Sequence, residues 1–223
     1  MSEFIITLLV IIGTILAYIV AKWLYNRIHT PLLLPVAIAT LFIITFLIIF
    51  QIPYGVYMLG GEWINKFLGP AVVALAYPLY ENRNTLKKLV IPMVVGTLVG
   101  AIIGIMTGVG IAILIGYDDV VIHSIAPKSV TTPVAMDIST SLNGVAPLAA
   151  VFVMIAGISG AMVSSYIFNI LKMKNPISRG IGLGSASHAI GTAKALENST
   201  LEGSISTIAM ILSAIFVSII TPF

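Results

Sequence analysis

The sequence contains no cysteine and very little charge: its 223 residues include eleven Lys and Arg and eight Asp and Glu. Without cysteine there is no disulfide, no thiolate metal site and no cysteine nucleophile. Charged residues make up 9% of the chain, against roughly a quarter in a soluble domain. A globule of this length would have too few of them to face water. HExxH, Walker-loop and GxSxG patterns are also missing, which removes the usual enzyme signatures. The three histidines, His29, His123 and His188, have no ligand-like spacing. No catalytic residue, metal or cofactor is therefore expected. The isoelectric point near 9.2 does not point to nucleic acid, because the cations are scattered between apolar blocks.

What remains is apolar. Hydrophobic residues are 59% of the chain, and the mean hydropathy is +1.12. Residues 4–20 and 30–61 carry no charge, and about 20 apolar residues suffice to cross the hydrocarbon core. The composition predicts an all-α polytopic membrane protein with about six full spans, a single membrane domain over residues 1–223. Spans are predicted over residues 4–21, 32–50, 63–80, 89–117, 145–171 and 205–220. Residues 1–62 form a two-helix part and residues 63–223 the core. In the first span Glu3 precedes the apolar run and Lys22 and Arg27 follow it, the reverse of a cleaved signal. It reads as a retained helix with its N-terminus outside, Lys22, Arg27 and His29 cytoplasmic, and Trp23 and Tyr25 at the interface. Pro31 and Pro35 fall in the first turns of the second span. Gly69, Pro70 and Pro78 interrupt the third, either completing a cavity or kinking the helix. Gly96, Gly100, Gly104 and Gly108 place a small-residue face on the fourth, suited to a homodimer or to packing within the chain.

Charge parity singles out two further segments. The fourth span ends at Asp118 and Asp119, outside, and the fifth ends at the cytoplasmic Lys172, Lys174 and Arg179. The segment between them, residues 120–144, must then enter and leave on one face. Its Pro127, Lys128, Ser129, Thr131, Thr132, Pro133, Asp137 and Asn143 are too polar to face lipid, and irregular backbone survives at depth only against protein or a wet cavity. Residues 180–204, with Ser185, Ser187, His188, Thr192, Lys194 and Glu197, form a second such segment, entered from the cytoplasm. Two interrupted segments approached from opposite faces indicate a secondary transporter with inverted repeats. Direct repetition is thin: residues 69–79 and 132–142 share only a Pro and a Leu at matched places.

The strings LGPAVVALAYPLY (residues 68–80), PKSVTTPVAMDIS (127–139), AAVFVMIAGISGAM (149–162) and RGIGLGSASHAIGTAKALE (179–197) resemble the LrgB/CidB family of antiholin-like bacterial membrane proteins. A plant relative of that family carries glycolate and glycerate across the plastid envelope. The resemblance covers nearly the whole chain in order and spacing. It implies residence in a bacterial cell membrane and partnership with a small holin-like LrgA/CidA protein. It also implies restraint of murein hydrolase activity and autolysis, and, across the family, transport of small carboxylates. Where the family often has Gly after the histidine, this chain has Ala189.

The residues can be read chemically beside that resemblance. A small 2-hydroxy or 2-keto carboxylate suits helix N-terminal N–H groups, a cation and hydroxyls. Pro127 and Pro133 bracket such a set: Lys128 as the cation, Ser129, Thr131 and Thr132 as donors, Thr132 as N-cap and Pro133 as the first helical residue. The alternative is a snorkelling lysine and threonines that only cap. Ser187, His188 and Thr192, beside Gly191, a predicted break, are further candidate substrate contacts. His188 binds substrate, carries a coupling proton or bonds neutrally between helices. Asp137 takes a proton or Na⁺, or meets water inside the bundle. Lys194 and Glu197 are spaced as an i,i+3 pair. Together these residues predict a proton-coupled monocarboxylate carrier; the rival reading is an antiholin-like regulator.

Overall fold

The computed structural model describes residues 3–28, 30 and 33–221, so His29 and Pro31 fall outside the described residues. The described residues form helices and no strand, and four helices are long and apolar enough to cross a membrane. The chain is an all-α polytopic membrane protein. It divides into two compact units, Met1–Ala76 and Tyr77–Phe223.

The first unit contains α1 (Glu3–Ile28), α2 (Pro35–Ile49), α3 (Tyr54–Lys66) and α4 (Leu68–Ala74). Helix α1 runs past the predicted end of its span, so Lys22, Trp23, Tyr25 and Arg27 occupy its last turns. The Arg27 guanidinium lies 5.3 Å from the centre of the Trp23 ring. Helix α2 opens on Pro35, whose missing N–H would have been unpaired there anyway. Gly60 lets α3 approach α1 closely: a Cβ on Gly60 would lie 2.6 Å from that of Val10.

The predicted third span is segmented into α3, α4 and α5 (Ala76–Glu81), followed by α6 (Arg83–Lys88). Turns at Phe67, Leu75 and Leu89 each fall three residues before a proline, Pro70, Pro78 and Pro92. Proline lacks an N–H and crowds the carbonyl four residues back, so each one ends a helical run and starts the next. Gly69 and Pro70 therefore sit just inside α4, and the interruption itself is at Phe67.

The second unit is organised around α7 (Val90–Ile115), which ends on Gly116 at φ 84°, where glycine meets no Cβ penalty. Helices α8 (Asp119–Ile125) and α9 (Thr132–Ser141) follow, then α10 (Ala146–Ile170), α11 (Pro176–Asn198) and α12 (Thr200–Ile220). The last span thus begins at Thr200 rather than residue 205, because Ser199 caps it by accepting from Glu202 N.

Helices α8 and α9 make a re-entrant hairpin. The turn after α9 returns to α8, where Val145 N donates to Ser124 Oγ at 2.8 Å. Helix α11 is a second hairpin, bent at His188, where φ is 41° and ψ is −130°. Its entering arm runs alongside α12 in the same direction: a Cβ on Gly180 or Gly184 would lie 2.9 Å from Ile205 Cβ or Ala209 Cβ, respectively. Its returning arm runs back, with Thr192 Oγ1 3.0 Å from Ser206 Oγ and Leu196 against Gly203. The break is therefore at His188, and Gly191 lies in the returning arm. There it lets the arms touch: a Cβ on Gly191 would lie 2.7 Å from Ser187 Cβ.

Candidate functional site

The glycine face of α7 receives both hairpins, from opposite ends. A Cβ on Gly108 would lie 3.0 Å from Lys128 Nζ, and one on Gly104 would lie 2.9 Å from Ser129 Oγ. Val130 reaches Ala101 in a shared apolar cluster. From the other end, Ile181 covers Gly96 and Ser185 covers Gly100, with Ser185 Oγ 2.8 Å from a Cβ built there. Gly100 and Gly104 occupy the middle of the 26-residue helix, one turn or about 6 Å apart. The tips of the two hairpins thus meet at mid-helix, with Ser129 and Ser185 facing α7 on successive turns. This face is filled within the chain, so a homodimer would have to form elsewhere.

Helix α10 seats the second hairpin much as α7 seats the first. His188 and Ser187 lie on Gly157 and Gly160 of α10, as Ser129 lies on Gly104 of α7, with Val130 and Ala101 in one apolar cluster. Each helix is followed by a hairpin that starts and ends on the same side, so α10 crosses in the opposite sense to α7. The two helix-plus-hairpin modules form an inverted pair. Their offset is close to 57 residues, as the hairpin starts Asp119 and Pro176 show. The matched residues Ser129 and Ser187 share only their type, too little to announce the repeat in the sequence.

At the first tip, Lys128 Nζ donates to Gly104 O at 2.5 Å. No carboxylate pairs with it among the described residues. Thr131, not Thr132, is the N-cap of α9, in extended backbone and with no side-chain capping bond. Thr132 is the first helical residue and Pro133 the second. The first N–H groups of α9 consequently have no partner within the helix. Thr131 and Thr132 are half-buried, Ser129 is buried, and Pro127 is buried in the turn. A half-buried ammonium, two hydroxyls and a helix N-terminus therefore converge on one tip. Asp137 does not join them: it lies on the exposed face of α9.

At the second tip the groups are engaged. His188 is 3% exposed, and its Nε2–H donates to Val153 O at 3.0 Å. A positive φ with ψ near −130° favours glycine; the ring's seat on α10 holds a histidine there. Thr192 is buried and shares a hydrogen bond with Ser206, and Ser187 is buried on α10. Lys194 and Glu197 form an ion pair at 2.8 Å.

A buried cluster escaped the sequence reading. Glu202 lies 3.5 Å from Arg179 Nε and accepts from Asn198 Nδ2 at 2.7 Å. The Ser-x-x-Glu spacing of Ser199 and Glu202 resembles an ordinary capping box, which hides the carboxylate's other partners. A groove of about 640 Å³ in the first unit is lined mainly by apolar groups such as Leu9, Val10, Phe42, Phe46 and Leu47. Those side chains offer nothing to a carboxylate.

Comparison with known proteins gives the family. The model of the LrgB-like family matches residues 14–223. Over 222 of its 223 residues the chain is 43% identical to uncharacterized protein YxaC of Bacillus subtilis (strain 168), covering 96% of that protein. Over the same length it is 37% identical to Holin-like protein CidB of Staphylococcus aureus (strain N315), covering 97% of it. The figure is 36% for Holin-like protein CidB of Staphylococcus epidermidis (strain ATCC 12228 / FDA PCI 1200), again covering 97%. No solved structure matches. This membrane protein belongs to the LrgB-like family.

Proposed function

We propose that the chain is a secondary carrier of small monocarboxylates such as glycolate, lactate or pyruvate, moved by alternating access in a bacterial plasma membrane. One observation supports this reading most: a lysine without a carboxylate partner sits beside an uncapped helix N-terminus where two opposed hairpins meet. An ionisable group at that depth is a functional candidate by default, and a carboxylate would complete both its charge and its hydrogen bonds. Lys128, Ser129, Thr131 and Thr132 are the proposed contacts. Ser187, His188 and Thr192 hold the opposing hairpin in place. Residues 77–223 form the transporting part, and the N-terminus lies outside. The protein performs no covalent chemistry on its substrate.

The experiment is uptake of labelled glycolate, lactate and pyruvate into liposomes holding the purified protein, with and without a pH gradient. Saturable flux of at least one of them is expected. Its absence at verified insertion and orientation contradicts the carrier reading. The second reading is a regulator of autolysis acting with a small holin-like LrgA/CidA partner, and the holin-like name of the staphylococcal relatives favours it. That reading requires no substrate, so partner binding and control of lysis by a protein without carboxylate flux would decide for it.

A further inference from the structure

A second groove, about 350 Å³, belongs wholly to the second unit and is lined by α5, α6, α7 and α12. Its floor is apolar. Met93 and Val94 of α7 and Ile208 and Leu212 of α12 line it, continuous with the cluster that buries Leu86, Met93 and Ile205. Its lip is charged, with Arg83 and Lys87 of α6. The walls are tied together at the turn between α5 and α6. There Asn82 Nδ2 donates to Ser204 Oγ of α12 at 2.9 Å, and Ser204 Oγ donates to Pro78 O at 2.8 Å.

Two like charges one helical turn apart repel each other. Neither Arg83 nor Lys87 pairs with a carboxylate among the described residues. Glu81, the acidic neighbour, is exposed and meets the Tyr77 hydroxyl at 3.5 Å. Arg83 is nevertheless held in place. Its Nη1 donates to Tyr80 O at 2.8 Å, and its guanidinium lies over the Tyr80 ring, 4.1 Å from the centre. A guanidinium carries more N–H donors than that one bond uses, so the lip is prepared for an anion.

The position of the groove selects the kind of anion. Helix α7 starts at Val90, two residues after Lys88, and runs for 26 residues without a charge. Helix α6 therefore lies where the chain leaves the hydrocarbon core, with the lip at headgroup level and the floor among the acyl chains. A soluble anion would meet the cations and leave the floor bare. A neutral lipid would cover the floor and leave the cations repelling. An anionic phospholipid answers both, as basic clefts between membrane helices do.

We infer that this groove binds one anionic phospholipid, its phosphate between Arg83 and Lys87 and an acyl chain along Met93, Val94, Ile208 and Leu212. The lipid then bridges α6 to α12, the helix against which the second hairpin packs, and stabilises the second unit. This holds for a carrier and for a regulator alike.

The test titrates the full chain in detergent with phosphatidylglycerol, phosphatidylcholine or glycerol phosphate, and counts bound molecules by native mass spectrometry. The chain should retain one phosphatidylglycerol at concentrations where the other two do not bind, and only phosphatidylglycerol should raise the unfolding temperature. Arg83→Gln combined with Lys87→Gln should weaken retention by about tenfold or more, the order expected for two interfacial cations. Both side chains are exposed, so the fold should survive. Lys88→Gln, exposed on the same helix but outside the groove, should stay within about twofold of wild type, because its charge acts only from a distance. Val94→Phe fills the floor, spares both cations and should also weaken retention. Equal retention of phosphatidylcholine overturns the headgroup contact, and equal binding of glycerol phosphate overturns the acyl contact. As large a loss in Lys88→Gln as in the double variant would mean diffuse surface charge, and overturns the site.

Discussion

Gly157→Ala is expected to unseat the second hairpin, lowering stability by about 1–3 kcal/mol, the usual cost of overpacking a core. The added Cβ would lie 2.6 Å from His188 Cε1 and 3.1 Å from Ile190 Cδ1. The histidine has little room to yield, because its backbone is at φ 41° and its ring is bonded to Val153 O. Gly110→Ala is the control, since nothing lies within 4 Å of a Cβ there. It should be neutral or gain up to about 1 kcal/mol from helix propensity alone. Thermal unfolding in detergent compares them. Adding His188→Gly to Gly157→Ala should restore much of the loss, because glycine removes the ring and suits the positive φ. Equal midpoints for Gly157→Ala and Gly110→Ala would show that the hairpin does not rest on α10 as described.

Lys128→Ala should reduce carboxylate uptake about 10- to 100-fold, the range for losing a charge-assisted hydrogen bond worth about 1.5–3 kcal/mol. The loss should appear mainly in the apparent KM if the ammonium binds the ground state as tightly as the moving complex. Lys128→Arg should rescue poorly. The slot beside Gly108 already holds Nζ at 3.0 Å from a Cβ position, and a planar guanidinium is broader than an ammonium. Uptake by Lys128→Ala within twofold of wild type would remove this residue from the site.

Much of this architecture is legible in the sequence because charge is so scarce. Segments expected over residues 120–144 and 180–204 correspond to hairpins over residues 119–141 and 176–198. They stand out because Lys128, His188 and their polar neighbours have no place facing lipid. The glycine ladder of α7 likewise announces close approach, though not what approaches. Local detail is less legible. Gly191 is the natural guess for a break, since glycine accepts positive φ, yet tertiary contacts from Val153 and Gly157 place the break at His188. Thr131 and Thr132 are equally good caps by type, and the fold selects the first. Glu202 reads as a capping residue until Arg179 and Asn198 are seen around it. Pro70 and Pro78 signal a disturbance, but only the folded chain shows that each starts a new helix.

The sequence's lack of cysteine permits the most direct test of the central claim, that two opposed hairpins meet at the middle of α7. Ser129→Cys paired with Ser185→Cys should cross-link in intact membranes through a short bifunctional thiol reagent spanning about one helical turn. Thr192→Cys with Ser206→Cys, whose native hydroxyls are 3.0 Å apart, supplies the positive control. Efficient linkage of the 129–185 pair, slowed by saturating carboxylate, is the expected result. Linkage of the control pair alone would contradict the meeting of the hairpins and the binding site built on it.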